Sequence, residues 1–113
     1  MPIAPETVAI LQALADPVRL SILERLSGAP AGVTELARHL PITRQGTAKH
    51  LAILRAAGLV GVDSAGRDAQ YRVATEPVRN VAETLTAAAD LWSGQLSLLK
   101  DAAESADESD GVG

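Results

Sequence analysis

Residues 43–60 read TRQGTAKHLAILRAAGLV and combine core-forming side chains with a basic, polar surface. Thr47, Leu51 and Leu54 recur at i, i+4 and i+7, the spacing of one buried face of an α-helix. The opposite face carries arginine, glutamine and lysine, so it either lies in solvent or meets a polar partner. The pattern predicts a helix over residues 44–57 with a buried inner face and an outer face that is available for binding.

The residues on either side of this helix predict a helix-turn-helix. Thr43 can cap the helix and Gly58 can end it, because these residue types are favoured at those positions. Upstream, Thr34 is expected to cap a shorter helix that extends to about Leu40, and Pro41-Ile42 is expected to form a tight break. Two helices joined by about three to four residues, the second longer and more basic, are typical of a helix-turn-helix.

Two more helices are predicted before this pair. The first extends from Pro5 to about Ala15 on an apolar period. Asp16 is expected to cap the second, because its carboxylate can accept hydrogen bonds from the free N–H groups of a helix start. Pro17 fits the first helical position, and Gly28 is expected to end the helix.

A β-hairpin is predicted directly after the helix-turn-helix. Leu59–Asp63 and Ala69–Val73 alternate apolar and polar side chains, as half-buried strands do, and Ser64–Asp68 joins them as a loop. A hairpin at this place is a wing, and Arg67 at its tip suits the negative potential of a narrow minor groove. The expected fold is therefore mainly α with a small β-hairpin, a winged helix-turn-helix with a long C-terminal helix for dimerisation.

That last helix is predicted to begin at Thr75 or Glu76, with Pro77 in its first turn. Its apolar residues recur at spacings of three, four and seven, and the stripe is too long for so small a body to cover alone. The stripe favours pairing with a second copy as a homodimer; packing on the first helix is the alternative. The expected dimer interface comprises Val8, Leu11, Val81, Leu85, Ala88, Trp92, Leu96 and Leu99.

Composition bounds the class of protein. The 113 residues fit one domain, and 47% of them are hydrophobic, which is enough for a core. No cysteine is present, which excludes disulfides, thiolate metal ligands and cysteine nucleophiles. No apolar run reaches about 18 residues, the length of a membrane span, and the first residues do not resemble a signal peptide. A cytoplasmic location is expected.

The net charge of −4 is unevenly distributed. Residues 101–113 hold five acids and no base, which leaves ten bases and nine acids, a net +1, for residues 1–100. Residues 104–113 are expected to be an acidic, disordered tail behind one DNA-binding and dimerisation domain of residues 1–103. Residues 33–72 contain six bases and three acids, so the positive charge lies on the elements that would meet nucleic acid.

The outer face of the 44–57 helix has the residue types that read base edges. Gln45 offers a donor and an acceptor to adenine, whereas Arg44 and Lys49 can donate to the two acceptors of guanine. Ala48 is small enough to let the helix lie deep in a major groove. Thr43 and the free N–H groups of the helix start suit a phosphate oxygen. We expect DNA contacts from Thr43, Arg44, Gln45, Ala48, Lys49, His50 and Arg67.

The stretches LADPVRLSILERL, VTELARHLPITRQGTAKHLAILRAAGLV and GRDAQYRV follow one another within about residues 8–74. In this order they resemble the ArsR-type family of bacterial winged-helix transcriptional repressors. The resemblance implies a homodimer that binds a palindromic operator in double-stranded DNA. Many members of that family release DNA when they bind a metal ion or metalloid.

The resemblance does not extend to the metal sites of that family. Those sites use cysteines in the first helix of the helix-turn-helix, or sets of Asp and His in the last helix. Here Thr34–Arg38 has no thiol, and the last helix has Glu83 and Asp90 but no histidine. His39 and His50 lack a second ligand at helical spacing, so no metal or other cofactor is expected. The chain is closer to the branch without metal-binding cysteines.

Two functions stay open from the sequence. One is the homodimeric repressor; the other is a winged-helix protein-interaction module without DNA binding, which the near-neutral body and acidic tail favour. An enzyme is not expected, because the sequence has no nucleophile–base arrangement and no phosphate loop. A small-molecule inducer that binds between the last helices near Trp92 is one hypothesis for control, and a core role for Trp92 is the alternative.

Overall fold

The computed structural model describes the backbone of residues 3–65 and 68–112 and the side chains of residues 3–63 and 69–106. Within them, the mainly α fold with a small hairpin after the helix-turn-helix is confirmed. The chain divides into one compact unit that ends at Val81 and a second that begins at Ala82. The elements are α1 (Pro5–Leu14), α2 (Pro17–Gly28), α3 (Val33–Ala37), α4 (Arg44–Ala56), β1 (Val60–Ala65), β2 (Asp68–Val73) and α5 (Glu76–Val112).

The start of α2 follows the sequence prediction. Oδ1 of Asp16 accepts hydrogen bonds from the backbone N–H of Val18 at 2.9 Å and of Arg19 at 3.0 Å, so Asp16 is the N-cap. The bond from the Arg19 N–H is the largest cause that lowers the pKa of Asp16 below its ordinary value, and the Arg19 charge adds to it. The cap is therefore a charged carboxylate at neutral pH.

Arg19 joins three helices. Its Nε donates to the carbonyl of Ala13 at 2.7 Å and its Nη2 to the carbonyl of Gln12 at 3.1 Å. Both carbonyls lie in the last turn of α1, and the Gln12 carbonyl also accepts the N–H of Ala15 at 3.2 Å. Nη1 lies 3.2 Å from Nδ1 of His50 in α4. One guanidinium in α2 thus fixes the end of α1 and contacts the middle of α4.

The end of α4 is also as predicted. Gly58 has a φ of +76°, in the left-handed region that favours glycine. Its N–H donates to the carbonyl of Arg55 at 3.0 Å, and the N–H of Leu59 donates to the carbonyl of Leu54 at 2.9 Å. This pair of bonds is a Schellman motif, and both leucines are fully buried beside it. The motif turns the chain from α4 directly into β1.

The start of α3 differs from the prediction. Gly32 is the N-cap residue, and Thr34 lies inside the helix, so the expected cap at Thr34 is wrong. The reason is a long-range pairing: Ala31 and Tyr71 exchange two backbone hydrogen bonds of 3.1 and 2.8 Å, which fix the chain just before Gly32. α3 begins at Val33, directly after Gly32, and ends at Ala37 rather than near Leu40.

The hairpin is longer at its loop end than predicted. Val60 pairs with Val73 at one end of the antiparallel ladder, and Ala65 pairs with Asp68 at the other. The ladder therefore includes Ser64, Ala65 and Asp68, which were expected in the loop. Leu59 precedes β1 and belongs to the turn after α4. Arg67 lies outside the described residues.

The core of the unit that ends at Val81 is aliphatic, as the scarcity of aromatic residues requires. Thr47 is fully buried together with the apolar residues of this core. Its Oγ1 donates to the carbonyl of Thr43 at 2.9 Å, so no polar atom of its side chain lacks a partner. Its place on the inner face of α4 is confirmed. The core comprises Ile10, Ala13, Ile22, Leu23, Leu26, Leu36, Leu51, Leu54, Leu59, Val60 and Val81.

α5 begins at Glu76 with Pro77 in its first turn, as expected. Its backbone is helical to Val112, beyond Ala103. The division of the chain after residue 103 stays a prediction. No helix in the described ranges combines the length and hydropathy that crossing a membrane requires.

Candidate nucleic-acid interface

α4 places Gln45 and Lys49 on the side that faces away from the core. At about 100° per residue these two side chains lie one turn apart and nearly opposite to Thr47 and Leu51. Thr47 and Leu51 are fully buried, whereas Gln45 and Lys49 are exposed. Among the side chains that the structure describes, Gln45 and Lys49 have no hydrogen-bond or ion-pair partner. The outer face is thus free to bind.

The start of α4 is fixed by its cap. Oγ1 of Thr43 accepts a hydrogen bond from the N–H of Gly46 at 2.9 Å, and the Thr43 hydroxyl keeps its own proton. A Cβ on Gly46 would lie 3.3 Å from that Oγ1, closer than side chains usually pack. Glycine at this helical position is therefore explained by the cap that it receives, and the Thr43 hydroxyl can still donate to an oxygen.

Arg44 lies on the flank of α4 that faces α3. Its side chain is exposed, and its Nε donates to Oγ1 of Thr34 at 3.0 Å. Around the helix Arg44 lies about 100° from Gln45. The structure therefore brings Gln45 and Lys49 together but directs the guanidinium of Arg44 away from them and towards α3.

His50 lies on the opposite flank, facing α2. Its Nδ1 is 3.2 Å from Nη1 of Arg19, and the ring is half-buried. An arginine can only donate, so Nδ1 must accept, and the neutral ring then carries its proton on Nε2. Arg19 thus occupies Nδ1, and the expected contact of His50 with DNA stays a prediction. His50 positions α4 relative to α2.

Of the remaining residues predicted for this interface, the structure describes Ala48 but not Arg67. Ala48 is half-buried, one turn after Arg44 and one turn before Ala52, which is exposed and was omitted from the predicted contacts. The expected contact of Arg67 lies outside the described residues. Arg72 in β2 forms an ion pair with Asp63 across the hairpin at 3.8 Å.

A cavity of about 450 Å³ opens between α3, β2 and the first residue of α4. Sequence reasoning missed it because no local pattern links these elements; the pairing of Ala31 with Tyr71 brings β2 beside α3. Its polar lining includes donors from three elements. The residues that matter for its chemistry are Gly32, Thr34, Glu35, Arg38, Arg44 and Gln70.

Glu35 is the acidic group in this lining, and the guanidinium of Arg38 offsets its charge. Its Oε2 accepts a hydrogen bond from Nη1 of Arg38 at 3.0 Å, and its Oε1 lies 3.6 Å from Nε2 of His39. His39 therefore does have a neighbour at helical spacing, contrary to the sequence interpretation. In the part of the chain that the structure describes, no three potential metal ligands of the His, Cys, Asp and Glu types lie together.

The residues predicted for the dimer interface separate into two groups. Val81 and Ala88 are buried within the chain, and Leu11 is half-buried against the core, so these three offer little surface to a partner. Leu91 and Leu98 are also exposed but were not among the predicted residues, because they lie to one side of the stripe with spacings of three and four. The predicted residues with large exposed side chains are Val8, Leu85, Trp92, Leu96 and Leu99.

Similar sequences are known. A family model described as a helix-turn-helix domain matches residues 14–63. The HTH-type transcriptional regulator Rv2034 of Mycobacterium tuberculosis is 45% identical over 62 residues, which cover 55% of this chain and 58% of that protein. The HTH-type transcriptional regulator YgaV of Escherichia coli is 37% identical over 86 residues, which cover 73% of this chain and 84% of YgaV.

A similar solved structure is an ArsR-like transcriptional regulator from Rhodococcus sp. RHA1. It has a TM-score of 0.83 and 37% sequence identity, over 88% of this chain and 92% of that one. The chain spans a little over half of the length of the mycobacterial relatives that it matches. The family model covers α2, α3 and α4, which are the elements that position Arg19, Arg44 and His50.

Proposed function

We propose that this chain, which belongs to the ArsR family of helix-turn-helix transcriptional regulators, is a homodimeric repressor that binds a palindromic DNA operator. α4 enters the major groove, and occupancy of the operator excludes transcription of the adjacent gene. A regulator of this kind acts where the chromosome lies, so we place it in the cytoplasm.

The outer face of α4 carries this proposal. Gln45 and Lys49 are exposed, have no partner in the described part of the chain, and project from a helix whose inner face is held by the core. A glutamine can bind the edge of adenine with two hydrogen bonds, and a lysine can donate to guanine. Side chains that read bases must be positioned by a rigid scaffold, and the Thr43 cap and the Schellman motif at Gly58 provide it.

The second copy is supported by the exposed face of α5. Trp92 is 56% exposed, Leu96 67% and Leu98 70%, although each has a large apolar side chain. Apolar residues that recur along several turns of one helix usually pack against another helix. Two identical chains related by a two-fold axis present two copies of α4 to half-sites about 34–36 Å apart.

The proposal is tested by footprinting the DNA upstream of the protein's own gene or a neighbouring gene, and by titrating that DNA with the protein. Lys49→Ala should weaken operator binding by roughly tenfold, since a good base contact contributes about 1–3 kcal/mol. Lys100→Ala is the matched control, because Lys100 is exposed on α5 and pairs with Glu104 at 4.0 Å. A wild-type protein that protects no palindrome, or binds DNA without salt dependence, contradicts the proposal and favours a protein-interaction module instead.

Control by a small apolar inducer beside Trp92 is a further hypothesis within this function. Trp92 is the only tryptophan in the sequence, so its fluorescence reports directly on binding at this place. A ligand that quenches the emission and also releases the operator would support the hypothesis. Quenching without release of DNA would contradict it, because an inducer must bind the two states of the protein differently.

A further inference from the structure

Arg44 is held in one orientation before any ligand arrives. Its Nε donates to Oγ1 of Thr34 at 3.0 Å, which leaves the four N–H groups on Nη1 and Nη2 for another acceptor. The side chain is exposed and, in the described ranges, has no carboxylate partner. A planar guanidinium that is anchored at Nε loses less conformational freedom when its fork binds an anion.

The cavity beside Arg44 is polar and has an uncompensated positive charge. Arg38 forms its 3.0 Å ion pair with Glu35, so those two charges offset each other and the charge of Arg44 is left over. Nε2 of Gln70 lies 3.4 Å from the place of a Cβ on Gly32, and a side chain at Gly32 would narrow the cavity. The lining thus offers a cationic fork, an amide donor and space.

We propose that this cavity binds a phosphate of the operator backbone, and that Arg44 is a phosphate-binding residue rather than a reader of guanine. The inference rests on the proposed function and changes the role expected for Arg44. Arginine forks match phosphate oxygens with two parallel hydrogen bonds. The anchor to Thr34 turns the fork away from Gln45 and Lys49, which occupy the outer face that would meet the bases.

The exposed residues of α4 would then have two different roles in DNA binding. Gln45 and Lys49 select the sequence, whereas Arg44 fixes the register of the helix on the duplex without selecting a base. A contact with a phosphate contributes equally to specific and non-specific binding, and each such contact releases condensed counterions. This difference can be measured.

The first experiment compares Arg44→Ala with Gln45→Ala on the operator and on a scrambled duplex of equal length, between about 50 and 200 mM salt. Arg44→Ala should weaken binding to both duplexes by the same factor. The slope of log K against log salt should fall by about 0.9 per half-site, about 1.8 for the dimer. Gln45→Ala should weaken operator binding and leave the slope unchanged. If Arg44→Ala weakens binding to the operator but not to the scrambled duplex, the proposal is wrong.

A second experiment locates the phosphate. Operators that carry one neutral methylphosphonate linkage at each successive position are titrated with the wild-type protein and with Arg44→Ala. At one linkage in each half-site, the neutral linkage should weaken binding by the wild type. The same linkage should not weaken binding by Arg44→Ala any further, because that variant already lacks the contact. If the loss of affinity caused by the neutral linkage and the loss caused by Arg44→Ala are additive at every linkage, Arg44 does not bind a phosphate. Wild-type protein that binds no duplex at all contradicts the proposed function itself, which is a different result.

Discussion

Nη1 of Arg19 and Nδ1 of His50 lie 3.2 Å apart, although the two residues are separated by 31 positions in the chain. The same guanidinium donates to two carbonyls at the end of α1, so it connects α1 and α2 to α4. Because arginine has no acceptor, the contact also selects one tautomer of the neutral imidazole. Positioning of α4 and the proton of His50 are thus linked.

The first prediction concerns that proton. At a pH where the imidazole is neutral, His50 should be the tautomer with its proton on Nε2, because Nδ1 accepts from Arg19. Long-range ¹H–¹⁵N NMR spectra distinguish the two nitrogens. Arg19→Ala should remove the preference at His50 and leave His39, which lies beside Glu35, unchanged. A proton on Nδ1 of His50 in the wild type would show that the contact does not form.

The second prediction concerns acid stability through Asp16. Its pKa is lowered in the folded chain, chiefly by the hydrogen bond from the Arg19 N–H. The stabilisation is therefore complete above the pKa of the unfolded chain, about 3.9, and is lost as the pH falls through the lower folded value. Asp16→Asn keeps a capping oxygen that does not titrate.

Unfolding by urea at several pH values between about 2 and 6 tests this linkage. The stability of the wild type should fall more steeply with acid than that of Asp16→Asn. Asp90→Asn removes a carboxylate from an exposed position inside α5 and serves as the matched control. Equal pH dependence of the wild type and Asp16→Asn would rule out a charged cap as the source.

The third prediction concerns the exposed face of α5. Leu96→Glu should convert the proposed dimer into monomers, because it places a charge where apolar side chains would be desolvated. Sedimentation equilibrium measures the change directly, and the emission of Trp92 should shift to longer wavelength as the residue becomes solvated. Leu20→Glu makes the same substitution at a 50% exposed position of α2 and should leave the assembly unchanged. A dimeric Leu96→Glu protein would exclude this face from the interface.

The fourth prediction compares two helical glycines. Replacing a glycine by alanine inside a helix usually stabilises it by up to about 1 kcal/mol. A Cβ added at Gly94 would meet nothing beyond its own helix within 4 Å, so Gly94→Ala should gain this amount in the free energy of unfolding. At Gly46 the added Cβ would lie 3.3 Å from the capping Oγ1 of Thr43, so Gly46→Ala should gain less or lose stability. Equal gains at both positions would show that the cap tolerates the methyl group.

Local signals in the sequence were sufficient where one residue and its immediate neighbours determine the backbone. Asp16 and Gly58 are of this kind, because a cap and a left-handed turn depend on residues within one turn of them. Thr34 was mistaken for a cap because the true start of α3 depends on the pairing of Ala31 with Tyr71.

The candidate site divides in the same way. The exposed positions of Gln45 and Lys49 follow from the helical period and were predictable. The partners of Arg44 and His50 come from other helices, and helical periodicity contains no information about them. Leu91 and Leu98 were missed because a strict spacing of three and four defines a narrower stripe than the exposed face of α5.

The Schellman motif after α4 has a mechanical consequence. Gly58 and Leu59 are tied by their N–H groups to the last turn of the helix, and the side chains of Leu54 and Leu59 are anchored in the core. The joint between α4 and β1 therefore has no hinge, and amide order parameters at Gly58 and Leu59 should equal those of the helix. Any rotation of α4 must therefore move β1 with it, so in the proposed complex with DNA the position of the helix also determines the position of the hairpin.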